Sequence, residues 1–118
     1  MSERPTTAFK VLTSDEMAAL EREGVFNGAP VDLQDGFIHL STAEQLTETV
    51  DKHFAGQSDL HVAAVDLGAY SEQAVKWEAS RGSQLFPHLY AVLLLETVVA
   101  YSPLDRNADG SVRQPVTG

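Results

Sequence analysis

The amino-acid sequence predicts an α+β fold, and three observations point to it. Helix-start signals fall in the first half of the chain, whereas strand-like runs dominate the second half. Helices early and strands late argue against the regular alternation of a doubly wound sheet. The chain has 118 residues, the size of one ordinary domain, and 43% of them are apolar, enough for a real core. A single domain is expected, with its core from about residue 7 to residue 101 and a polar tail over 102–118.

Each element has its own signal. Ala8 to Leu12 reads as an opening strand. Thr13 and Glu16 stand at capping-box spacing, and the helix they open carries Met17 and Leu20 before Gly24 stops it. Val25 to Gly36, with Gly28 and Pro30, reads as a loop. Phe37 to Leu40 forms a short strand, and Ser41 with Glu44 reads as a second capping box. The helix it opens runs to about Ala55, with Leu46, Val50 and Phe54 on one stripe and Gly56 as its stop.

Leu60 to Leu67 is apolar on both sides, as a central strand must be. Val75 to Ala79 alternates, with Trp77 on the core side and Glu78 opposite. A turn is expected at Arg81-Gly82, then strands over Leu85 to Tyr90, Ala91 to Leu95 and Thr97 to Tyr101. The tail from Ser102 should lie along the surface or fray.

Composition excludes several functions. The chain has no cysteine, so disulfides, thiolate metal sites and cysteine nucleophiles are ruled out. A net charge of −9 repels phosphate backbones and anionic headgroups, so neither nucleic acid nor membrane is an expected partner. The first five residues lack a signal-peptide core, and the apolar run Ala91 to Leu95 is too short to span a bilayer. A cytoplasmic protein with a small-molecule ligand is the expectation.

Three constellations could carry chemistry. In Phe37-Ile38-His39-Leu40, the strand period sends Ile38 and Leu40 to the core and Phe37 with His39 to the other face. His39 thus precedes a helix N-terminus, whose free N–H groups suit an anion, and Ser41 and Thr42 join the ligand-contacting set. His39 is either a ligand contact and acid–base group or a structural tie. In Phe86-Pro87-His88-Leu89-Tyr90, the side chains of Phe86, His88 and Tyr90 project together, as a stacking wall for a planar ligand or as packed core.

Trp77-Glu78 is the next constellation, and Trp77 joins the ligand-contacting candidates with His39, Ser41, Thr42, His88 and Tyr90. Glu78 is a candidate general base or sugar clamp, or else a solvated edge charge. Asp105, Asn107, Asp109 and Gly110 imitate the start of a calcium loop, but its twelfth position is Val116, and a turn explains them better. No metal site can be assembled from local spacing.

Asp35-Gly36-Phe37-Ile38-His39-Leu40-Ser41-Thr42-Ala43-Glu44-Gln45, then Trp77-Glu78, then Phe86-Pro87-His88-Leu89-Tyr90, resembles a bacterial family known as domain of unknown function 952. That family is in turn distantly similar to ADP-ribosyltransferases. The resemblance implies two early helices packed on a split, mostly antiparallel sheet, with NAD bound between the two parts. It gives His39 a ribose to hold, Tyr90 a nicotinamide to pack against, and Glu78 the second ribose and the transfer step. Glu78 precedes Tyr90 here, the reverse of the usual order in those enzymes. NAD or an ADP-ribose-like nucleotide in a His39/His88 cleft is the leading expectation. The alternatives are a non-catalytic module for a small anion or a protein, and a metal-dependent hydrolase using His39 and His88.

Overall fold

A strand that is apolar on both faces needs a layer on each side, and that requirement organises the molecule. A computed structural model describes residues 5–79 and 84–115. Strand β1 (Thr7–Thr13) runs into helix α1 (Ser14–Glu23), followed by β2 (Val25–Phe26), α2 (Pro30–Asp35), β3 (Ile38–His39) and α3 (Leu46–His53). Then come β4 (Leu60–Asp66), β5 (Val75–Ala79), β6 (Leu85–Leu89), β7 (Leu93–Leu94) and β8 (Val98–Pro103). Every strand pairing among the described residues is antiparallel.

The strands form sheets in the orders β1-β4-β8, β3-β6-β5 and β2-β7. One bridge joins the first two sheets. Phe9 and Ser41 exchange both main-chain hydrogen bonds, at 2.7 and 2.9 Å. Beyond that bridge the sheets part, and the result is a small α+β fold with a cleft in its sheet.

Alternation along β1 and β4 builds two cores. Ala8, Leu12, Ala63 and Val65 pack with α1, Ile38, Leu40 and Leu89 on one side. Phe9, Val11, Val62 and Ala64 pack with Leu46 and Val50 of α3 on the other. Each large side chain buried this way contributes about 1.5–3 kcal/mol. Trp77 packs against the first cluster, on the opposite side of its strand from Glu78.

Local signals act as the sequence predicts at α1. The Thr13 and Glu16 side chains cap one another's backbone, and Gly24 closes the helix at φ 76°. Two expectations are corrected. Val25 to Gly36 is no plain loop: it holds β2 and the six-residue α2, so the described residues form three α-helices where two were expected. Pro30 at the first turn favours that helix, because its missing N–H is not needed there.

The reciprocal side-chain pair lies one residue later than expected and closes the turn before α3, which itself begins at Leu46 with Gln45 as its N-cap. Thr42 N–H donates to Gln45 Oε1 at 3.0 Å, and Gln45 N–H donates to Thr42 Oγ1 at 3.3 Å. Ser41 takes no part, and its hydroxyl meets that of Thr49 at 2.8 Å. Of the two courses open to the tail, lying along the surface or fraying, it takes the first up to residue 115. It folds back on α3, where Val112 is buried, its N–H donates to Thr47 Oγ1 and Arg106 pairs with Asp51. The expected turn at Arg81-Gly82 lies outside the described residues.

Candidate functional site

The face of β3 and β6 that points away from the first core collects the polar side chains. His39 and His88 are direct cross-strand partners, with ring centroids 5.7 Å apart. Phe37, Phe86 and Tyr90 extend the same face at the period-two spacing of strands. The Phe37 ring stacks on His88 at 4.0 Å and 21°, and also lies 4.6 Å from His39 and 5.2 Å from Tyr90. The aromatic wall expected for a planar ligand is therefore faced by the protein's own Phe37.

Each imidazole is anchored through Nδ1 by a carboxylate. His39 Nδ1 lies 2.7 Å from Asp32 Oδ1, and His88 Nδ1 lies 2.8 Å from Glu78 Oε1. A carboxylate on one ring nitrogen fixes the ring's orientation and leaves the other nitrogen as the working atom. His39 Nε2 is covered by Asp35 at 2.9 Å. His88 is only 3% exposed, and its Nε2 is buried without a hydrogen-bond partner among the described residues.

Asp32 is the hub. It is 2% exposed, and its two oxygens take the Lys10 ammonium at 2.9 Å, both the N–H and Nδ1 of His39, and the N–H of Ala29 at 2.8 Å. Burial opposes its charge, yet the hydrogen bond from His39 and the Lys10 ammonium hold its carboxyl far below the usual carboxylate range. At the outer edge, Glu78 is lowered by hydrogen bonds from the Tyr90 hydroxyl and from His88, and Tyr90 is correspondingly raised by Glu78. Sequence reasoning passed over Asp32 and Lys10. The available signal was Lys10 itself, a cation inside an apolar strand that needs a buried counter-charge.

A cavity of about 550 Å³ occupies the parting of the sheets. Its polar lining includes Lys10, Glu16, Asp35, His39, Ser41 and His88, and Phe9, Phe54 and Phe86 supply aromatic lining. Of the candidate residues, His39, Ser41 and His88 meet there. Tyr90 stands at the neighbouring rim, and Glu78 reaches only the back of His88. Thr42 is spent in the turn before α3, where its N–H is taken by Gln45 and its hydroxyl takes the Gln45 N–H. Trp77 belongs to the core side of its strand.

Two other readings gain nothing from the geometry. Among the described residues, no three His, Cys, Asp or Glu side chains gather as a metal set. Asp109 caps Ser111, Asn107 bonds Ser111, and Asp105 pairs with Arg113, so the acidic stretch is a self-satisfied turn. Among the described residues, no helix is long and apolar enough to cross a membrane.

Fold and site together define a small α+β protein with a histidine-lined cleft where its sheet divides. Residues 11–101 match the family described as protein of unknown function DUF952, and the chain belongs to that family. It is similar to protein CC0527 from Caulobacter crescentus. The crystal structure of that protein is 46% identical, with a TM-score of 0.82, over 92% of this chain and 94% of that one. Its solution NMR structure gives 46% identity and a TM-score of 0.76, over 93% of each chain. No curated protein matches the chain.

Proposed function

We propose that the protein binds a nucleotide of the NAD or ADP-ribose type in the cleft between β1 and β3. The observation that carries this reading is His88 Nε2, a buried nitrogen without a partner among the described residues, in the wall of a cavity of ligand size. Leaving such a nitrogen unpaired costs about 1–3 kcal/mol, so the site is built for a group that satisfies it. A ribose hydroxyl can donate to it, beside the His39 ring that Asp32 and Asp35 hold in place. The aromatic side chains Phe9, Phe54 and Phe86 offer apolar cover for a planar ring.

A second reading follows from Glu78. It bonds His88 and Tyr90 and does not line the cavity, and Glu16, the glutamate that does, is engaged by the Thr13 N–H in the cap of α1. A binding module without turnover accounts for that arrangement. Amide NMR titrations with NAD, ADP-ribose and AMP test the nucleotide reading, with His88→Gln as control. Shifts clustered at Ile38 to Gln45 and Phe86 to Tyr90, and lost in the variant, are expected. No shift at millimolar ligand, where even about −4 kcal/mol of binding is visible, overturns it. Release of nicotinamide from NAD then separates enzyme from binding module.

A further inference from the structure

We infer that the main-chain edge of β1 at Val11 is a recognition slot for a planar group carrying a hydrogen-bond donor beside an acceptor. A carboxamide and a nucleobase edge share that chemistry. The inference deepens the nucleotide reading, and rests on it for the rest of the ligand, because it names which end of the molecule enters the parting of the sheets.

The pattern of pairing fixes the direction of each peptide group. In an antiparallel strand, the N–H and C=O of one residue point to the same side, and successive residues alternate. Phe9 sends both groups to Ser41. Val11, two residues on, therefore turns its N–H and C=O to that same side, away from β4. Counting along both strands from the Phe9–Ser41 bridge sets His39 opposite Val11.

His39 does not complete that pair. Its N–H goes to Asp32 Oδ1 at 3.1 Å. Asp32 thus does for β3 what β1 does at Ser41, and it holds β1 through Lys10 instead of through the backbone. Val11 is left with a donor and an acceptor side by side, unmatched among the described residues. Val11 lines the cavity and is only 6% exposed. Buried peptide groups are almost always paired, so a ligand edge is the partner the slot lacks.

Nearby lining matches a flat ring. Phe9, Phe54 and Phe86 border the same space, and His39 and His88 stand across it. A ring held by its edge at Val11 leaves its sugar facing the two imidazoles. Lys10 is already neutralised by Asp32, so the slot discriminates by hydrogen-bond pattern and gains little from ligand charge.

The test uses the full-length protein and two matched probe pairs at millimolar concentration. Nicotinamide against nicotinate examines the carboxamide, and adenine against purine examines the nucleobase edge. Amide NMR reads the Val11 and His39 signals and the hydrogen exchange of the Val11 N–H. At least one amide- or amine-bearing probe should shift Val11, slow its exchange and bind at least about tenfold tighter than its counterpart. Val11→Pro removes the donor on the side away from β4, so the β1–β4 ladder is retained, and it should abolish that preference. If that variant fails to fold, the exchange data on the unmodified protein decide.

Equal binding of both members of each pair, or no response at Val11 from any probe, overturns the slot. That outcome is separable from failure of the nucleotide reading, in which NAD, ADP-ribose and AMP leave His39 and His88 unshifted.

Discussion

One oxygen of Asp32 receives both the backbone N–H of His39, at 3.1 Å, and the ring Nδ1 of the same residue, at 2.7 Å. A side chain from α2 thereby replaces a neighbouring strand and orients an imidazole in a single contact. Because the other oxygen holds Lys10, Asp32 ties α2, β1 and β3 together at the mouth of the cleft.

Asp32→Asn should destabilise the protein by about 3–5 kcal/mol, because it leaves the buried Lys10 ammonium without a counter-charge. Urea denaturation gives the value. Replacing the pair together, Lys10→Met with Asp32→Leu, should recover a large part of the loss. A double variant as unstable as the single one would show that the hydrogen bonds to His39 and Ala29, and not the charge, dominate.

Acid stability should follow the same carboxyl. Its pKa in the folded state lies below the ordinary aspartate value of 3.8, so its stabilisation is complete above that value. As pH falls below 3.8 towards the folded-state pKa, that stabilisation is progressively lost. Unfolding free energy measured at falling pH should drop less steeply for Asp32→Asn than for the unmodified protein.

Glu78→Gln should lower the ionisation pH of Tyr90. The Glu78 carboxylate accepts the phenol hydrogen at 2.7 Å and raises Tyr90 above 10.0, so a neutral amide moves it back down. Alkaline absorbance titration of the two proteins measures the difference. Identical curves would place Tyr90 away from Glu78 in solution.

Gly28→Ala should cost about 1–3 kcal/mol through strain at a positive φ, with a steric penalty in addition. Its φ is 130°, and an added Cβ would come within 2.9 Å of the Asp32 Cβ. Gly56→Ala carries only the backbone strain, since its Cβ would meet nothing within 4 Å. Thermal unfolding should therefore rank Gly28→Ala as the worse of the two.

The register of the reciprocal pair before α3 is checked the same way. Thr42→Ala should cost about 1 kcal/mol. Glu44 is exposed, and Glu44→Ala should stay within about 0.5 kcal/mol of the unmodified protein. The reverse ranking would restore the pair to Ser41 and Glu44.

Legibility in the sequence followed the range of the forces involved. The Thr13–Glu16 box and the Leu46–Val50 stripe are local, and both emerge as read. Strand period two placed Phe37 with His39, and Phe86 with His88 and Tyr90, on the face now seen. The pair at Thr42 was misplaced because Ser41-Glu44 and Thr42-Gln45 satisfy the same spacing, and only tertiary contact chooses. Gln45 also reaches the Leu85 C=O at 2.8 Å, which favours the second pair. Asp32 escaped notice because its partners lie seven and twenty-two residues away, and no local pattern announces a buried ion pair. The short α2 was masked by Pro30 and Gly36, which also read as loop signals.

The order β1-β4-β8 carries a consequence for biosynthesis. The middle strand, β4, pairs with one strand drawn from the start of the chain and one drawn from near its end. A chain emerging from the ribosome can close β1 on β4 early, but one edge of β4 stays bare until residues 98–103 have cleared the exit tunnel. During that interval β4, apolar at five of its seven positions, is a template for a neighbouring nascent chain. Slow codons between residues 67 and 97 would lengthen the exposure, and rapid delivery of β8 would shorten it.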